Sequence, residues 1–85
     1  MTDDMTTIDR AGPDSTDWRL VVREGNVEMR KTIPYDGVLV YSTEERAHVS
    51  HRKSSRYNLS VGDVLARYAD ETGRAVEQSQ LPTTA

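Results

Sequence analysis

Between positions 46 and 58 the chain carries Arg46, His48, His51, Arg52, Lys53, Arg56 and Tyr57, with Ser54, Ser55 and Asn58 among them and no acid. Phosphate recognition uses cations on long stems, hydroxyl and amide donors to fix register, and an aromatic ring on which a base can stack. This stretch supplies all three, so Arg46, His51, Arg52, Lys53, Arg56 and Tyr57 are the first candidate nucleic-acid contacts. Its formal charge is +4 before the histidines are counted, whereas residues 1–17 hold five Asp against Arg10. The overall charge of −3 therefore conceals a segregated distribution.

Other chemistries are less well provided for. Glu44 and His48 would share a helix face, with His51 three residues on, and two His plus a carboxylate can hold zinc. Arg46, Arg52 and Lys53 crowd that set and oppose a divalent cation, and no fourth ligand is evident, so no metal or other cofactor is expected. Ser54 and Ser55 lie near His51, but neighbours in a polar loop are not a positioned triad. The chain has no cysteine and hence no thiol nucleophile or disulfide. The expectation is a protein that binds rather than one that catalyses.

The elements that must position these residues are legible in part. In 18–33, Trp18, Leu20 and Val22 alternate with Arg19, Val21 and Arg23, a strand period. Gly25-Asn26 suits a two-residue hairpin turn. Pairing across it places Trp18, Leu20, Val22, Val27, Met29 and Ile33 on one face, interrupted by Lys31. Arg19, Arg23 and Arg30 fall on the other face, with Val21, Glu28 and Thr32, and form a second candidate nucleic-acid surface. Pro34-Tyr35-Asp36-Gly37 is a turn, and Val38-Leu39-Val40-Tyr41 a third strand. Folding back on four turn residues, Val38 and Val40 join the Trp18 face. Val21, Leu39 and Tyr41 are then left as an apolar patch for a protein partner or a homodimer.

Residues 42–58 read as a helical turn or irregular loop, with a short strand through Ala47 and Val49 as the alternative. From Ser60 a helix is well marked. Ser60 and Asp63 form a capping pair, Val61, Val64, Leu65, Tyr68 and Thr72 share a face, and Gly73 can close it. Val76 leaves room for an extension towards Gln80, which Pro82 would end. Residues 1–17 read as a disordered acidic tail, 18–76 as one domain and 77–85 as a flexible tail.

The expected fold is therefore α+β: a small antiparallel meander of three or four strands packed on one C-terminal helix, β-β-β-α. Architecturally it resembles small β-β-β-α DNA-binding domains such as the integrase arm-binding and plant AP2-type domains, which implies a sheet face laid on nucleic acid. No apolar run nears the ~18 residues a membrane span requires, and the acidic N-terminus is unlike a secretion signal. A cytoplasmic, non-enzymatic regulatory or accessory protein that binds nucleic acid is the leading expectation. A protein-interaction module or homodimer is the alternative.

Overall fold

The computed structural model describes residues 5–45 and 55–81. It is an α+β fold: strands β1 (Met5–Arg10), β2 (Arg19–Arg23), β3 (Asn26–Ile33) and β4 (Gly37–Ser42), followed by helix α1 (Val61–Thr72) and a single 3-10 turn at Gln78–Gln80. The strands form an antiparallel sheet in the order β1-β2-β3-β4, a simple meander.

The hairpin turn falls on Glu24 and Gly25, both at positive φ (50° and 82°), one residue earlier than Gly25-Asn26. Its geometry is that of a turn whose twist matches the strands. The shift pairs Leu20 with Met29 and Val22 with Val27, where the expected register would have set Leu20 against Lys31. Asn26 is occupied elsewhere: its Oδ1 accepts from the Thr43 hydroxyl at 3.2 Å. Because partners move by two positions, every side chain keeps its predicted face. Trp18, Leu20, Val22, Val27 and Met29 all enter the core.

The next turn does not preserve parity. Ile33 pairs with Gly37, leaving a three-residue loop of Pro34, Tyr35 and Asp36, with Tyr35 and Gly37 both at positive φ (70° and 106°). One residue fewer in the turn inverts the strand. Leu39 and Tyr41 consequently face the helix and pack on the core, while Val38 and Val40 lie on the outer face. This corrects the expected orientation of the whole third predicted strand.

Residues 5–10 form β1, in place of the disordered tail expected over 1–17. Little in their pattern announces a strand, because Thr6, Thr7 and Arg10 are exposed and a bulge between Thr7 and Asp9 breaks the alternation. The strand is held by tertiary contacts. Ile8 packs on the core, and Asp9 reaches the buried Tyr68 hydroxyl. The connection to β2 is also tied, with Ala11 N–H donating to Trp18 O at 2.8 Å and Thr32 N–H to Ser15 O at 2.7 Å.

Helix α1 starts and stops where its sequence indicates. The Ser60 hydroxyl accepts from Asp63 N–H at 3.1 Å, and Gly73, at φ 74°, donates to Ala69 O at 2.8 Å. Val64, Leu65 and Tyr68 are buried against the sheet. Ser60→Ala should therefore cost about 1 kcal/mol, measurable as a lower urea midpoint with an unchanged slope. The extension towards Gln80 is not helical: the chain turns after Gly73, and Val76 and Leu81 pack back onto the core. Within the stretch expected as a tail, Gln78–Gln80 thus form a 3-10 turn and Leu81 touches the core.

Candidate nucleic-acid interface

Adjacent residues of a strand project to opposite faces, and this places the first cation of the site. Asp9 is anchored on the helix side. Tyr68 Oη donates to its carboxylate at 2.7 Å, and Arg74 grips both oxygens through Nε at 2.7 Å and Nη2 at 3.1 Å. The Arg74 hydrogen bond holds the Asp9 carboxyl below its usual pKa, with the Tyr68 bond helping and burial opposing. Burial, and then the bond to Asp9, pushes the Tyr68 phenol well above the ordinary range. With Asp9 fixed there, Arg10 is held on the outer face.

Arg10 pairs with Arg19 across β1 and β2, and Arg19 pairs with Arg30 across β2 and β3. Three arginines therefore stand in one row across three strands. Like charges directly opposite one another destabilise a sheet, so the fold carries this row at a cost. Arg30 is partly neutralised, its Nη1 lying 3.1 Å from Glu28 Oε2. Among the described residues, no acid lies within ion-pair distance of Arg10 or Arg19.

The outer face divides into two halves. The row Thr7, Val21, Glu28 and Ser42 runs beside the arginines, and its last three members are buried. At this end Arg23 has its Nε buried without a hydrogen-bond partner, while its Nη2 lies 3.7 Å from Met5 Sδ. The other half is open: Arg10 is exposed, Arg19, Arg30 and Thr32 are half-buried, and Val38 and Tyr35 are exposed. Thus Arg19 lies half-buried on the open half, Arg30 stands on the same row but is mostly buried against Glu28, and Arg23 lies beside the covered half.

The basic stretch is only partly placed. Arg46, His48, His51, Arg52 and Lys53 lie outside the described residues, as does most of the segment expected to be a helical turn or loop. Its downstream end is fixed on the free edge of β4. Arg56 N–H donates to Val40 O and Ser42 N–H to Arg56 O, both at 2.9 Å, and Leu59 N–H donates to Ser42 O at 3.2 Å. Arg56 is bridged to Tyr41 in parallel, on the helix side of the sheet, and is exposed. Tyr57 is half-buried. Arg56 and the arginine row consequently occupy opposite faces.

Val21, Leu39 and Tyr41 do not form a common patch. Val21 is fully buried on the outer side, and the other two face the helix. Tyr41 is instead the middle of a stack: its ring lies 5.7 Å from that of Trp18 at 25°, the Arg67 guanidinium sits 4.7 Å above it, and Lys31 Nζ lies 4.8 Å from the Trp18 ring. Beside this stack, Leu59, Asp63, Ala66, Arg67 and Asp70 line an open depression of about 600 Å³. Its two acids against one engaged arginine suit it poorly to anions.

Sequence reasoning missed Arg10, the residue that makes a pair of cations into a row. Its strand carries too few apolar residues, too irregularly spaced, to show a period of two. No cluster of three or more metal-ligating side chains occurs among the described residues, and no helix among them is long and apolar enough to cross a membrane.

Fold and site together define a small α+β meander with a cationic half-face on the side of the sheet away from its helix. Compared with protein-family models, curated proteins and solved structures, the chain finds no match.

Proposed function

We propose that this is a small, non-enzymatic, nucleic-acid-binding regulatory or accessory protein of the cytoplasm. The observation that carries the reading is the in-register row of Arg10, Arg19 and Arg30. Guanidinium groups on neighbouring strands, Arg10 and Arg19 without an acid partner among the described residues and Arg30 mostly buried against Glu28, line up over about 10 Å, two inter-strand spacings, with donors suited to phosphate oxygens. Bound phosphate would relieve the like-charge repulsion that the free sheet sustains. The basic stretch from Arg46 to Arg56 adds a second source of cations, joined to the sheet at Ser55 and Arg56. Glu24 at the hairpin tip and Glu28 in the covered half would repel phosphate, which confines contact to the opposite end.

An anisotropy titration against mixed DNA and RNA at low and moderate salt tests this. Binding should fall steeply with salt, and Arg10→Gln/Arg19→Gln should lower the magnitude of the log–log slope by about 1 to 2, two phosphate contacts' worth. Arg30 is left intact in that variant because it neutralises the buried Glu28 carboxylate. Arg52→Ala/Lys53→Ala/Arg56→Ala reports separately on the basic stretch. If the parent does not bind, or if both variants bind as well as the parent with the same slope, the reading fails.

A further inference from the structure

Tyr35 is the one large hydrophobic side chain of the described residues that the fold leaves entirely in solvent. It sits at the centre of the β3–β4 turn with φ 70°, a conformation that a residue with a Cβ adopts at a cost. The turn is tightly made: Asp36 N–H donates to Ile33 O at 2.9 Å, and Pro34 fixes the entry. An aromatic ring is thus displayed on a hydrogen-bonded corner with no packing partner among the described residues. In the adjoining β4, Val38 is the other exposed large apolar residue.

This corner belongs to the same half of the sheet as the arginine row. Arg30 is three residues from Ile33, about 10 Å along the strand, and Thr32 and Val38 form the pair between them on the outer face. Moving from β1 to the corner, the surface passes from cations to apolar side chains and then to a free aromatic ring. A duplex offers phosphates on its outside and keeps its base faces stacked inside. It would engage the arginines and find no use for Val38 and Tyr35. An unpaired strand offers both phosphates and base faces, and aromatic stacking is how sequence-tolerant single-strand binders hold it. Asp36 in the turn and Asp14 in the β1–β2 connection would repel phosphate, so the backbone path lies over the arginines and the base, not the phosphate, meets the corner.

We infer that the ligand of this surface is single-stranded nucleic acid, its phosphates on the row Arg10–Arg19–Arg30 and an unpaired base stacked on Tyr35. The inference rests on the nucleic-acid reading above and narrows it.

The test uses the full chain with a labelled thymidine oligonucleotide of about 12 nucleotides, a length within the usual range of single-strand sites, and a blunt duplex of the same length. The single strand should bind more tightly than the duplex. Tyr35→Ala should weaken single-strand binding about tenfold or more, and Tyr35→Phe, which keeps the ring, should stay within about twofold of the parent. Because Tyr35 packs on nothing among the described residues, Tyr35→Ala should melt at the parent's temperature, so a loss of binding reports on the ring itself. Duplex binding equal to or tighter than single-strand binding, or an unaltered Tyr35→Ala affinity, overturns the inference and leaves nucleic-acid binding standing. Failure to bind either probe overturns both.

Discussion

Trp18→Ala should destabilise the protein by about 3 to 5 kcal/mol, a large part of what a chain of this size possesses. Trp18 is only 6% exposed and meets three different partners. Its ring stacks on Tyr41, its face receives the Lys31 ammonium, and its carbonyl accepts the Ala11 N–H that closes the β1–β2 connection. Truncation leaves a cavity at the sheet end nearest the arginine row and removes the platform on which Tyr41 lies. Circular dichroism followed against urea is the suitable measurement, since the substitution removes the only tryptophan. Trp18→Phe should recover more than half of the loss by refilling most of the volume. A loss below about 1 kcal/mol for the alanine variant would be incompatible with this packing.

The second large effect concerns the tie between β1 and the helix. Asp9→Ala should cost about 1 to 3 kcal/mol, because it leaves the buried Tyr68 hydroxyl without an acceptor. Tyr68→Phe should cost about 1 kcal/mol at most, since Asp9 then retains Arg74 and no buried donor is stranded. Both substitutions break the Tyr68 hydrogen bond, and the excess cost of Asp9→Ala combines the orphaned hydroxyl with the lost Arg74 pair.

The same contact gives a pH dependence of defined sign. The Asp9 carboxyl titrates lower in the folded chain, chiefly through its Arg74 hydrogen bond. Its contribution is complete above the unfolded value of about 4 and is lost as the pH falls through the folded value. The Tyr68 phenol titrates higher in the folded chain, chiefly through burial. Its contribution is complete below the unfolded value of about 10 and is lost as the pH rises towards the folded one. Melting temperatures measured from about pH 7 down to about pH 2.5 should fall less steeply for Asp9→Ala than for the parent. Parallel curves would mean that the tie does not form in solution.

The residues show which parts of this architecture a sequence can declare. Ser60, Asp63 and Gly73 act within one turn of themselves, so the helix ends are legible as local chemistry. The faces of β2 and β3 are legible because their apolar residues alternate, and a two-position change in pairing leaves alternation intact. The face of β4 is not, because Val38, Leu39, Val40 and Tyr41 are apolar on both sides. Only the length of the turn at Pro34 decides which pair turns inward. β1 is illegible for a different reason: Asp9 owes its position to residues 59 and 65 places away. The arginine row inherits that blindness. Arg19 and Arg30 are foreseeable as outward residues of an alternating hairpin, but their alignment with Arg10 depends on a strand that only tertiary contacts reveal.

The edges of the sheet bear on how the protein behaves when crowded. An open strand edge is a template on which another chain can add, and it is the usual starting point of fibril growth. Here one edge, that of β4, is occupied by the chain itself through Arg56 and Leu59. The other, that of β1, is broken by the bulge at Ile8 and carries Asp9 and Arg10 beside it. Neither side offers a long, flat, apolar row of free amides. Both edges of the meander thereby oppose strand addition from a second copy.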